Sequence, residues 1–149
     1  MKNTKGFTLI ELLAVIVILA IIALIATPMI LGVIDSAKKG AAESSAYGYL
    51  DSVEKSSLKN MIANGGVVLT DDIYDVTGEG KTLEAQNETV TVGETTSKVT
   101  ISVDFKGDAP KGENDTVTIS NGEISAATLT INGYKITYTN GKVTKTEKA

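Results

Sequence analysis

The sequence predicts an α+β fold: a long N-terminal α-helix, apolar in its first half and amphipathic in its second, packed on an antiparallel β-meander. Three observations carry that reading. Residues 12–34 hold no charge, and residues 12–26 are apolar without a break. Beyond Pro28 apolar residues recur at three- and four-residue spacing to residue 62, the period of one helix face. Near the C-terminus Asn121-Gly122, Asn132-Gly133 and Asn140-Gly141 each separate two β-rich runs. Both residues of such a pair accept positive φ, which makes Asn-Gly the strongest short hairpin signal.

The chain begins with the short basic stretch MKNTK and then turns apolar. That is the outline of a secretory signal or a membrane anchor. An ordinary cleaved signal fits poorly. A cut after Ala26 would place Leu24 at the −3 position, and a cut after Ile25 would place a bulky residue at −1. A plain membrane helix fits better. The 23 charge-free residues 12–34 give a helix of about 35 Å, enough for a hydrocarbon core of about 30 Å. Lys2 and Lys5 would stay in the cytoplasm and the C-terminal part would lie outside. Neither reading explains Glu11. A carboxylate within a membrane helix costs about 2.5–3.5 kcal/mol at the centre and less near an end.

The stretch Lys5-Gly6-Phe7-Thr8-Leu9-Ile10-Glu11-Leu12-Leu13 resembles the processing motif of the type IV pilin family. The resemblance implies that a prepilin peptidase cuts between Gly6 and Phe7 and methylates the new amine of Phe7. It further implies that Glu11 pairs with the terminal amine of a neighbouring subunit during assembly. Elementary electrostatics agrees with such a role. A buried ammonium and a buried carboxylate are each costly alone, and each satisfies the other across a subunit contact. Glu11 also falls in the first helical turn, where the macrodipole favours a negative charge. Pro28 removes one helical hydrogen bond and weakens the helix locally. Many family members carry a proline there, and the helix ahead of it can melt in the filament. They often have a glycine several residues upstream, where this chain has Ala20.

The amphipathic half is predicted to extend to about residue 63. Its stripe is Ile30, Val33, Ile34, Ala37, Ala41, Ala46, Leu50, Val53, Ser57 and Met61, with Tyr49, Leu58 and Ile62 beside it. Asn64-Gly65-Gly66 is the stop signal. The organisation expected is a leader at 1–6, an apolar helix at 7–34, the amphipathic half at 35–63, a connecting loop with short strands at 64–97, and a sheet at 98–149. In the sheet, Val99, Ile101, Val103 and Phe105 alternate onto one face. Runs 116–120, 123–131, 134–139 and 142–146 form the meander. Val117, Ile119, Leu129, Ile131, Ile136 and Tyr138 are expected on its inner face, covered by helix residues 37–62.

Composition narrows the function. The chain has 149 residues, enough for one domain, and no Cys, His or Trp; Arg is missing as well. The commonest general base and metal ligand are therefore absent, as are thiolate sites and disulfides. Net charge is −4, and loss of Lys2 and Lys5 with a leader takes it to −6. Such a surface does not attract nucleic acid.

Ser36-Ala37-Lys38-Lys39 has Ser-x-x-Lys spacing but no companion motifs. Gly78-Glu79-Gly80 lacks a phosphate-loop Lys. Asp71, Asp72 and Asp75, or Asp108 with Glu113, Asn114 and Asp115, are weak calcium candidates without EF-hand spacing. Asn87-Glu88-Thr89 and Asn114-Asp115-Thr116 match glycosylation sequons by chance. Tyr47 and Tyr49 read as core packing.

No enzymatic activity, cofactor or metal is expected. The resemblance implies a structural subunit that polymerises with itself into a pilus for adhesion, motility or biofilm. It resides in the cytoplasmic membrane before assembly and in an extracellular filament afterwards. Its partners are the prepilin peptidase and methyltransferase, an assembly ATPase and a membrane platform. A major pilin is favoured over a pseudopilin of a secretion or competence system, and the lack of disulfides resembles pilins of Gram-positive bacteria. The rival outside the family is a membrane-anchored binding module that keeps its leader.

Overall fold

The computed structural model describes residues 6–63, 71–92 and 95–149. The chain divides into two compact units, one ending at Ala37 and one running from Lys38 to Ala149. A single helix, α1, spans Leu9–Ala63, which matches the extent expected from the sequence. The leader residues 1–5 and the stop signal Asn64-Gly65-Gly66 lie outside the described residues.

The first unit is the apolar part of α1. Its Leu, Ile and Val side chains are exposed on every face. Leucine and alanine favour the helix here, and the β-branched isoleucines and valines are accommodated in it. The helix runs on through Pro28. The Thr27 hydroxyl donates to the Ala23 carbonyl at 2.7 Å, and the Ser36 hydroxyl to the Gly32 carbonyl at 3.0 Å. Both polar side chains are thus satisfied on the helix itself.

The second unit is the rest of α1 laid on a seven-stranded antiparallel sheet. The strands are β1 (Asp72–Thr77), β2 (Thr82–Val92), β3 (Thr95–Ser102), β4 (Thr116–Ser120), β5 (Glu123–Ile131), β6 (Tyr134–Thr139) and β7 (Lys142–Lys148). Their order is β3-β2-β1-β4-β5-β6-β7. The meander β4–β7 forms as expected. Asn121, Asn132 and Asn140 have φ of 54°, 52° and 47°, and the glycine after each is also positive. Those are the dihedrals a two-residue hairpin turn of the I′ type demands.

The stretch expected to be mostly loop is instead sheet. Residues 72–77 and 82–92 are full strands, and β3 begins at Thr95. Gly78-Glu79-Gly80, with φ of 58°, 56° and 79°, is the turn between β1 and β2. Polar residues hid these strands. Asp72, although buried, accepts hydrogen bonds from the Ile73 amide and from the Asn87 amide and side chain at 2.7–2.9 Å. The carboxylate thereby fastens β1 to the irregularity in β2 between Glu84 and Thr89. After Ser102 the strand ends, so Val103 and Phe105 lie beyond it. Phe105 meets Tyr49 edge-on at 5.6 Å, beside Gly48.

The core joins α1 to one face of the sheet. Ala42, Ala46, Tyr49, Leu50, Val53 and Ser57 are buried on the helix. Tyr74, Leu83, Ile101, Val117, Ile119, Leu129, Ile131 and Ile136 meet them from the sheet. Five of the six residues expected on the inner face of the meander are buried, and Tyr138 is half-buried. The helix stripe needs a correction. Ala42 is buried and Ala41 exposed, Tyr49 lies within the stripe, and Leu58 and Ile62 face out. Adjacent alanines left the phase open, and the bulky Tyr49 sets it. Ile30, Val33, Ile34 and Ala37 are exposed and take no part in this core.

Tyr49 is the largest buried side chain of the helix face, yet its hydroxyl has no hydrogen-bond partner among the described residues. Burial pushes its phenol well above the ordinary value of 10, and the Asp115 carboxylate adds to the shift. The neutral phenol is therefore the form the fold favours. The stability this carries is whole below the unfolded value of about 10 and is lost as pH climbs towards the folded one. Tyr49→Phe is expected to flatten that alkaline loss. It is also expected to raise neutral-pH stability by about 1 kcal/mol, because a buried unpaired hydroxyl is removed. Urea unfolding of the full chain in detergent at about pH 7 and about pH 11 reads both effects.

Candidate functional site

The motif residues lie at the start of α1. Gly6, Phe7 and Thr8 precede the first helical residue, Leu9, and all three are exposed. The Gly6–Phe7 peptide bond is therefore outside the helix and exposed. Among the described residues, a side chain added at Gly6 would meet nothing within 4 Å. The fold itself has no need of glycine there, so any requirement for it belongs to the enzyme that reads the motif.

Glu11 is held by Thr8. The Thr8 amide and the Thr8 hydroxyl donate to Glu11 Oε2 at 2.8 and 2.6 Å. In return, the Glu11 amide donates to Thr8 Oγ1 at 3.3 Å. This is a capping box: Thr8 is the N-cap, Glu11 the third helical residue, and two orphan amides of the first turn are satisfied reciprocally. Thr8 was missed by sequence reasoning, which read Glu11 only as a charge. The Thr-x-x-Glu spacing ahead of an apolar run was the signal that would have found it. The cap fixes the Glu11 carboxylate over the Thr8 amide, at the N-terminal end of the helix.

The other candidates do not converge. Asp71 accepts from the Asn121 amide at 2.6 Å, and Asp75 from the Gln86 side chain at 2.8 Å. Asp72 is committed to Asn87, as described. Asp108 accepts from the Asn132 side chain and Asp115 from the Gly112 amide, both at 2.8 Å. Among the described residues no three acidic side chains are grouped to hold one ion. Tyr47, unlike Tyr49, is largely exposed; it meets Tyr138 edge-on at 6.1 Å and accepts from the Val143 amide at 2.8 Å.

Residues 1–27 match the family model described as the prokaryotic N-terminal methylation motif. The match supports a type IV pilin-like prepilin. The motif implies processing by a prepilin peptidase and assembly into pili, and it points to a structural subunit and not to an enzyme. No curated protein and no solved structure matches the chain. One helix among the described residues is long and apolar enough to cross a membrane, which fits anchoring there before assembly.

Proposed function

We propose that this chain is the major subunit of a type IV pilus, made as a membrane-anchored precursor and assembled into an extracellular filament. The observation that carries the proposal is the uncovered Gly6–Phe7 bond directly ahead of a capped Glu11 and an exposed apolar helix. A prepilin peptidase cuts that bond and methylates Phe7. An assembly ATPase and a membrane platform then move the subunit from lipid into the filament, where residues 7–34 bury their apolar surface against other copies. Glu11 of one copy neutralises the Phe7 amine of another, which fixes the axial register. Pro28 is the weak point at which the helix loosens on packing. A cysteine-free sheet, held by its own core, supports a repeating surface subunit and a Gram-positive source. Adhesion, surface motility and biofilm formation are the activities such a filament serves.

Mass spectrometry of the N-terminal peptide from filaments sheared off intact cells tests this. An abundant peptide beginning at N-methylated Phe7 is expected. The same peptide confined to membranes indicates a pseudopilin. A chain still beginning at Met1, absent from any filament, indicates a membrane-anchored binding module.

A further inference from the structure

We propose that two cavities on the unit Lys38–Ala149, one acidic and one basic, are the two halves of a head-to-tail contact between copies of this chain. The contact presupposes the filament proposed above and adds the surfaces that meet within it.

The acidic half is a groove of about 870 Å³ between the last turns of α1 and the hairpin turns at Asn121-Gly122 and Asn140-Gly141. Glu54 and Glu123 are the charged residues of its wall. Tyr138 and Leu58 supply an apolar floor, and Leu58 is 55% exposed. The nearest lysine along the helix, Lys55, is already paired with Asp51. Carboxylates above an apolar floor suit a side chain that is apolar along its stem and cationic at its tip. That is lysine.

The basic half is a smaller cavity of about 340 Å³ lined by Lys38, Ala41 and Asn132. Lys38 and Ala41 lie one turn apart on a single helix face. The small Ala41 side chain lets another surface approach the stem of Lys38. Asn132 is held in place by Asp108.

Helix geometry relates the two halves. Lys38 and Glu54 are sixteen residues apart on one continuous helix, which is about 24 Å along the axis and about 160° around it. Leu58 is twenty residues from Lys38, or about 30 Å and about 200°. The two patches thus sit at different heights on opposite faces. They differ in charge and place, so the contact they make is heterologous. Repeated between near-parallel copies displaced by about 24–30 Å, it does not close. Surface ion pairs are weak, so this contact reinforces the register between copies while the apolar helices drive assembly.

The absence of cysteine from the sequence allows a clean test. Ala41→Cys and Leu58→Cys, which line the two cavities and leave Lys38 and Glu54 in place, are introduced together and singly, and filaments sheared from cells are treated with a short bis-maleimide. The double variant is expected to give a ladder of dimers, trimers and longer species, and each single variant only monomer. Dimers from Leu58→Cys alone would mean that like patches meet and would overturn the proposal. Filaments of the double variant without a ladder would overturn it too. If the cysteines block assembly, charge reversal decides. Glu54→Lys is expected to cut filament yield several-fold and Glu54→Lys with Lys38→Glu to restore it, whereas no restoration overturns the contact. In each case Phe7 methylation is measured on the same cells. Processed subunits with normal filaments but no ladder sink the contact alone. Unprocessed subunits, with no filament even from the unaltered chain, sink the pilus reading and the contact with it.

Discussion

Replacing Glu11 by Gln is expected to abolish surface filaments while leaving the leader cut and the sheet unit intact. The substitution separates two roles that one side chain holds. Glu11 closes a capping box with Thr8: its carboxylate accepts from the Thr8 amide and hydroxyl at 2.8 and 2.6 Å, and its own amide donates to Thr8 Oγ1 at 3.3 Å. A glutamine side chain still accepts the first two, and the backbone donor is unchanged. Only the charge is lost. In the filament core proposed here the Phe7 ammonium would then lack its counter-ion. Removing one partner of a buried pair costs about 3–5 kcal/mol, which weakens addition of each subunit by about two to four orders of magnitude. Thr8→Ala makes the opposite separation: the charge stays and the cap goes. That change is expected to cost about 1 kcal/mol at the helix start and to leave filaments present in reduced number. The measurement is filament yield after shearing, with the N-terminal peptide from membranes as the control for processing. Wild-type yield from Glu11→Gln would reduce Glu11 to a cap and remove the charge-pairing role.

Legibility followed the strength of the local signal. The helix was readable from end to end, because an uncharged run of 23 residues followed by a three-and-four spacing leaves no competing period. The meander was readable because each Asn-Gly pair imposes a left-handed turn. The alternation of residues 88–92 was legible, but strand β1 and the first part of β2 were hidden for a chemical reason. Asp72, Asp75 and Asn87 look like loop residues, and their polarity is absorbed by partners that only the folded sheet supplies: Asn87 for Asp72 and Gln86 for Asp75. The same pairings occupy carboxylates that, read one by one, resembled calcium ligands. At the motif, Gly6 and Phe7 stood out by resemblance, and Glu11 also as a lone carboxylate at the start of an uncharged apolar run. Thr8 did not, although its relation to Glu11 is a matter of ordinary helix capping. The phase of the buried helix stripe was ambiguous between Ala41 and Ala42 until the fully buried Tyr49 set it.

Leu129→Ala is expected to be the most damaging single truncation in the sheet unit. Leu129 is fully buried on β5, opposite Ile136 of β6, and belongs to the cluster that binds the sheet to α1. Removing a buried leucine costs about 2–5 kcal/mol, because transfer free energy is lost and a cavity is left. A domain of this kind has about 5–15 kcal/mol in total, and with no cysteine in the chain no cross-link limits its unfolded state. Thr128, the neighbouring residue, points to the other face and is only half-buried. Thr128→Ala is therefore expected to change stability by less than about 1 kcal/mol. Thermal unfolding of the full chain in detergent, followed by hydrogen exchange at the amides of β4–β7, compares the two. A drop in midpoint on the order of 10 °C is expected for Leu129→Ala, with little change for Thr128→Ala. Amides within residues 12–34, which belong to the other unit, serve as the internal reference. Equal effects from the two variants would mean that helix-to-sheet burial is not what holds the unit together, and that neighbours in the filament supply the stability instead.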